Sequence, residues 1–132
     1  MATFQFNLVS PEKLLFSGDV DQVDVPGSEG YFGVLEGHAP LVSTLRPGIL
    51  TVYREGEILR IVVTGGFAEV SPAGLTVLAD MAAPTDDFDG ALLAAQISDT
   101  ETMLAGAKDE ARRDKLALRL DELKSLQGEL AH

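Results

Sequence analysis

The sequence predicts an α+β chain: an antiparallel β-sandwich, or flattened barrel, over residues 1–84, then a two-helix antiparallel hairpin over residues 85–132. Three observations carry this. Up to about residue 84, apolar and polar side chains alternate with the period of half-buried strands. Beyond Pro84, apolar residues recur every three or four positions, the period of a helix. Finally, about nine candidate strands follow one another too closely to leave room for crossover helices, so the sheet should be antiparallel.

The elements follow in order. Phe4, Phe6 and Leu8 point one way with Gln5 and Asn7 between them, and Val23 and Val25 repeat the pattern around Asp24. Arg46-Pro47-Gly48 breaks the chain before GILTVYR, and Glu55-Gly56 joins that run to EILRIVV. Glycine there supplies the positive φ of a tight hairpin. Ser71-Pro72-Ala73-Gly74 places Pro and Gly where a type I turn favours them. Thr85, Asp86, Asp87 and Asp89 suit a helix N-terminus, by capping and by their charge against the helix dipole. Leu93, Ile97, Thr100 and Leu104 make the first helical stripe, Ala105-Gly106-Ala107 interrupts it, and Asp109 can cap a second helix with Leu116, Leu120, Leu123 and Leu130. Each stripe is narrow, so the pair needs a further surface to hide its apolar face.

Composition narrows the function. The absence of cysteine removes disulfides, thiol nucleophiles and thiolate zinc sites. MATFQFNLVSPEK lacks the basic start and apolar run of a signal peptide, and the longest apolar runs, 61–63 and 92–95, are far short of the roughly 20 residues that span a bilayer. A soluble protein of a reducing compartment is expected. A net charge of −11 opposes binding to nucleic acid and to anionic lipid; attachment to a membrane would run through a protein partner. Residues 1–84 hold 4 basic and 10 acidic side chains (net −6) and residues 85–132 hold 6 and 11 (net −5). No Lys or Arg lies between Arg60 and Lys108, so everything basic in the second half lies from Lys108 onward.

The stretch GSEGYFGVLEGHAP, residues 27–40, is the densest in glycine. A phosphate loop needs a lysine after its glycines, whereas here no basic residue lies between Lys13 and Arg46, and Glu29 and Glu36 repel an anion. Glycines shaping turns, around an exposed loop with Glu29, Tyr31 and Phe32, describe a docking tip. His38 has no nucleophile motif beside it, and the other histidine is His132; a histidine hydrogen-bonded at a turn fits better than a catalytic or metal-ligating one. Asp19, Asp21 and Asp24 alternate with Val20, Val23 and Val25 and read as a solvent face, not a cation site. Lys108, Arg112, Arg113, Lys115 and Arg119, interleaved with acids, read as a solvated helix face with i,i+4 pairs; the sharper alternative is an acidic partner.

Residues 27–48, GSEGYFGVLEGHAPLVSTLRPG, with VSPEKLLFSG at 9–18, TGGFAEV at 64–70 and LTVLAD at 75–80, closely resemble the epsilon subunit of bacterial F-type ATP synthases, the counterpart of the mitochondrial delta subunit. The motifs stand in the family's order and spacing over residues 3–84; beyond that the resemblance rests on size and helical pattern. It implies a non-catalytic rotor subunit of the central stalk, peripheral on the cytoplasmic face of the inner membrane, with no cofactor or metal. The sandwich would couple the c-subunit ring to the gamma subunit through Ser28, Glu29, Gly30, Tyr31 and His38. The helices would regulate ATP hydrolysis, with Arg112, Arg113, Lys115 and Arg119 meeting the catalytic beta subunit within the alpha/beta assembly. Some members bind ATP through an Ile/Leu-Asp-x-x-Arg-Ala motif, onto which Glu110 and Arg113 fall; here Asp109 and Asp114 replace its aliphatic residue and alanine and oppose a triphosphate. The alternative reading is a stand-alone β-sandwich binding carbohydrate or peptide. It requires an aromatic platform, and Tyr31, Phe32, Tyr53 and Phe67 are scattered along the chain.

Overall fold

The computed structural model describes residues 2–130; His132 lies outside them. Ten strands come first: β1 Phe4–Val9, β2 Leu14–Val20, β3 Gln22–Gly27, β4 Gly30–Val34, β5 Leu41–Leu45, β6 Gly48–Arg54, β7 Glu57–Val63, β8 Gly66–Ser71, β9 Gly74–Ala79 and β10 Ala82–Pro84. Two helices follow, α1 Gly90–Gly106 and α2 Glu110–Leu130. The chain divides into two compact units between Asp86 and Asp87.

In the first unit the strands run in the order β10-β7-β6-β3-β5-β8-β9-β1-β2, with β4 added on β3. The alternation expected from the sequence is realised: in β6, Leu50 and Val52 are buried while Thr51 and Tyr53 are only partly so. Sixteen buried side chains from β1 through β9, among them Phe6, Leu8, Val23, Leu50, Leu75 and Val77, form one continuous core. Burying each such valine, leucine or phenylalanine is worth about 1.5–3 kcal/mol. β2 comes to lie beside β6 without pairing, which closes the sheet into a flattened barrel.

One pairing departs from the antiparallel expectation. β1 runs parallel to β9, with Phe6 opposite Leu75 and Leu8 opposite Val77, while the other pairings are antiparallel. A parallel pair needs a long connection, and strands β2 to β8 themselves provide it.

The turns follow their residues. Glu55 and Gly56, with φ of 50° and 82°, close the β6–β7 hairpin in the doubly positive conformation of a type I′ turn. Arg46 and Pro47 separate β5 from β6 as expected. Thr85, expected at a helix start, instead prolongs the sheet: its N–H donates to the Arg60 carbonyl at 3.0 Å. The cap of α1 is Asp89, whose carboxylate accepts from the Ala91 N–H at 2.9 Å.

In the second unit α1 and α2 pack on each other. Leu93, Ile97 and Thr100 are buried and Leu104 half-buried, as their spacing predicted. The buried Thr100 hydroxyl donates to the Gln96 carbonyl at 2.7 Å, so it costs little. On α2 Leu123 is fully buried, Leu116, Leu120 and Leu130 are half-buried, and Leu126, passed over in the sequence, is buried as well. Lys124 and Glu101 approach to 3.9 Å, both about half exposed, a geometry of little energetic weight. Asp109 accepts from the Arg112 N–H at 3.3 Å and caps α2. Asp109→Ala is expected to lower the stability of the helical unit by about 1 kcal/mol, measured by thermal denaturation followed at the helical circular-dichroism band.

Candidate functional site

The glycine-rich stretch is a strand hairpin with a short exposed tip. Gly27 pairs with Gly30, so Ser28 and Glu29 form a two-residue turn, both exposed. Gly30 has φ of 134°, a conformation side-chain-bearing residues avoid. The tip is held on two sides. The Ser28 N–H donates to the Thr44 carbonyl at 2.9 Å, and the Arg46 N–H to the Pro26 carbonyl at 3.0 Å. Across the hairpin the Tyr31 hydroxyl accepts from the Ile49 N–H at 2.9 Å. That reach depends on Gly48, where a Cβ would lie 2.7 Å from Pro26 and 2.8 Å from the Tyr31 hydroxyl.

The two aromatics of the tip have different tasks. Tyr31 is 47% exposed. Phe32, expected to be exposed beside it, is half-buried against the core because its strand phase turns it inward. Ser28, Glu29, Gly30 and Tyr31 line one groove together with Leu41, Val42, Ser43 and Thr44.

His38 lies beyond the other end of β4 and lines a different groove of about 600 Å³, with Phe4, Asp19, Glu36 and Pro40. Its N–H closes the turn onto the Leu35 carbonyl at 3.1 Å, with Gly37 at φ 82° in the third position, as a type II turn demands. Its Nδ1 lies 2.7 Å from the Ala39 carbonyl; since a carbonyl only accepts, Nδ1 carries the proton. The imidazole lies 6.4 Å from the Phe32 ring. The structure therefore brings Ser28 to Tyr31 together and sets His38 apart.

Of the three aspartates Asp19, Asp21 and Asp24, Asp19 is exposed and the other two are engaged in structure. Asp21 accepts from the Glu55 N–H at 3.0 Å and supports the β6–β7 turn. Asp24 accepts from Gln22 at 2.8 Å and from the Tyr53 hydroxyl at 2.9 Å. Among the described residues no cluster of three or more His, Cys, Asp or Glu stands ready for a metal ion. The hydrogen bond to the Asp24 carboxylate, then partial burial and the same carboxylate's charge, hold Tyr53 above its ordinary value of 10.0. A raised folded value means that this contribution to stability is complete below pH 10 and is lost as pH rises through the folded value. Tyr53→Phe should therefore lower stability by a constant amount across the neutral region and flatten the alkaline limb of the stability-versus-pH curve, as urea titrations at stepped pH would show.

A surface missed in the sequence runs over the outer face. Register places Thr44 beside Phe67 and Phe67 beside Leu78, and with Val42 they expose apolar area: Val42 66%, Phe67 44%, Leu78 38%. The signal was present as apolar residues on the solvent phase of the alternation, but only the pairing of β5, β8 and β9 assembles it.

On α2, helical periodicity puts Arg112 and Arg119 on the side of Leu116, Leu123 and Leu126, with Lys115 at its margin and Arg113 a quarter-turn away. Arg112, Arg113 and Lys115 are exposed and Arg119 half-buried. Glu110 and Arg113 are both exposed, and the amide end of α2 beside them is already taken by the Asp109 carboxylate.

A flattened ten-stranded barrel with a braced hairpin tip, followed by a separate pair of helices, defines a two-module protein of the β-sandwich and helical-hairpin class. The family model described as ATP synthase, Delta/Epsilon chain, beta-sandwich domain matches residues 3–85. ATP synthase epsilon chains of Rhodopseudomonas palustris (strain BisA53) and Nitrobacter hamburgensis are each 58% identical over 130 residues, spanning 98% of this chain and 96% of theirs. A chain of the Euglena gracilis mitochondrial ATP synthase OSCP/F1/c-ring structure superposes with a TM-score of 0.75 at 28% identity, covering 98% of this chain and 82% of that one. A chain of the Tetrahymena thermophila mitochondrial ATP synthase central stalk/c-ring structure shares the fold, with a TM-score of 0.70 at 13% identity, covering 98% of this chain and 96% of that one. The chain belongs to the ATP synthase epsilon-chain family.

Proposed function

We propose that the chain is a central-stalk rotor subunit of a membrane-bound, proton-translocating ATP synthase, peripheral to the membrane on its cytoplasmic face, and that it couples rotation of the c-subunit ring to the gamma subunit without bond chemistry of its own. The observation that carries this reading is the bracing of the hairpin tip: Ser28 and Glu29 project, while main-chain hydrogen bonds to Thr44 and from Arg46, with the Tyr31–Ile49 bond, hold their base. A tip fixed on both sides transmits lateral force with little play. Projecting Ser28 and Glu29 would meet polar groups of the c ring, and the apolar row of Val42, Phe67 and Leu78 suits a lasting contact with gamma. No helix among the described residues is long and apolar enough to cross a membrane, in keeping with attachment through partners.

The helical unit acts as a regulator of hydrolysis, with Arg112, Arg113, Lys115 and Arg119 meeting acidic surface on beta. Nucleotide binding at Glu110 and Arg113 is not part of the proposal, since Asp109 and Asp114 surround that site with negative charge.

Because the chain has no cysteine, single introduced cysteines report cleanly. Ser28→Cys should cross-link under oxidation to a cysteine placed in the polar loop of the c subunit. Glu55→Cys, in the β6–β7 turn, should not. Equal yields at both positions, or none at Ser28, would remove the assignment of the tip to the c ring.

A further inference from the structure

We infer that the free edge of β4 takes up an extended, basic segment of a neighbouring stalk subunit as an additional strand, an inference that rests on the stalk reading above. Val23 pairs with both Val34 of β4 and Val52 of β6, and Gly27 with both Gly30 of β4 and Leu45 of β5. β4 therefore occupies one edge of β3 by itself, and among the described residues no strand lies beside its own far edge.

The register shows which groups point there. Pro26 has no N–H and its carbonyl is turned toward Arg46, away from β4, so Pro26 and its partner Tyr31 form a non-hydrogen-bonded pair. The alternation then makes Val25 with Phe32 a bonded pair and Asp24 with Gly33 an unbonded one. The N–H and carbonyl of Gly33 consequently face outward, and Gly33 is exposed.

The two ends of the strand order are protected and this edge is not. β10 has three residues and ends in Pro84, and β2 is irregular, with a register shift opposite Leu8 and Val9, and lies beside β6. β4, reading GYFGV, carries no proline, no charge and no bulge, the devices by which edges normally resist added strands. Strand addition supplies main-chain hydrogen bonds from whatever chain arrives and takes its selectivity from what flanks the edge. Here the flanks are Glu29 at one end and Glu36 at the other, both exposed, with no Lys or Arg from residue 14 to residue 45. A second copy of this chain would bring the same acids to the same edge, so a segment bearing Lys or Arg is the occupant.

The test compares full-length Gly33→Pro and Gly33→Ala in binding to ATP synthase stripped of this subunit. Both variants place a Cβ at the same point, 3.3 Å from the Asp24 carboxylate, but only proline removes the outward N–H, at a position not used in the β3 pairing. Gly33→Pro is expected to bind at least tenfold more weakly, with Gly33→Ala within about threefold of wild type. Hydrogen exchange gives an independent reading: the Gly33 amide of the wild-type chain should slow at least tenfold on binding. Wild-type affinity in Gly33→Pro, equal losses in both variants, or an unprotected Gly33 amide would overturn the inference and leave the stalk reading standing. Dimerisation of the free chain that Gly33→Pro abolishes would overturn it in favour of a second copy. Failure of the wild-type chain to bind the stripped enzyme would take down the stalk reading and the inference together.

Discussion

Gly66→Ala is expected to leave the sandwich largely unfolded at physiological temperature. Gly66 opens β8 at φ 121°, and a Cβ there would collide with the Leu78 carbonyl oxygen and lie 2.9 Å from the Cα of Ala79. The backbone conformation alone costs of order 1–3 kcal/mol. The collision is with main chain in a paired strand, which cannot swing aside as a side chain can, so β8 and β9 must separate. Separation uncovers Ala68, Val70, Leu75 and Val77, all core residues. Uncovering Val70, Leu75 and Val77 at about 1.5–3 kcal/mol each, on top of that strain, loses roughly 5–12 kcal/mol, comparable with the total of about 5–15 kcal/mol that keeps a domain folded. Chemical denaturation of the purified variant, read at the β-sheet circular-dichroism band, measures it; a midpoint near that of the wild type would show that the strands can part without losing the core.

Leu123→Ala should have the complementary effect, melting the helices and sparing the sandwich. Leu123 is fully buried, and among the described residues the helical unit has few other buried apolar side chains: Leu93, Ile97, Ala107 and Leu126. A buried leucine cut to alanine costs about 2–5 kcal/mol, a large share of what a unit of this size can hold. The sandwich core draws only on residues 4–82 and does not include Leu123. The expected result is loss of the helical signal and rapid tryptic cleavage at Arg112 and Arg113, with the strand signal retained. In the assembled enzyme the same variant should couple normally and hydrolyse ATP faster than wild type. A variant that lost coupling as well would contradict the division of labour between the units.

How much of this was legible in the sequence depends on how local the cause is. Glu55-Gly56 announces its turn because the positive φ is a property of those two residues. Leu93, Ile97 and Thr100 announce their burial because helix periodicity alone places them on one side. The parallel pairing of β1 with β9 could not be read, since alternation says which face a residue occupies and nothing about which strand lies beside it. β10 was hidden for the same reason: three residues with a proline make no pattern until β7 is there to pair with them. At the candidate site, the glycines and the turn at His38 were local and legible. The brace on Tyr31 was not, because it depends on Gly48, seventeen residues after Tyr31, leaving room for the phenol beside Ile49. Thr85, with the aspartates and apolar run that follow, fits a helix start by sequence; the Arg60 carbonyl, a partner distant in sequence, claims its N–H instead.

The most direct test is reconstitution of stripped ATP synthase with the full chain or with residues 1–86, measuring proton-coupled synthesis and ATP hydrolysis in the same preparation. Both forms are predicted to restore coupling, because the sandwich core is complete within residues 4–82, and only the full chain should slow hydrolysis. If residues 1–86 bind but leave protons and ATP turnover uncoupled, the sandwich is not the element that joins ring to shaft.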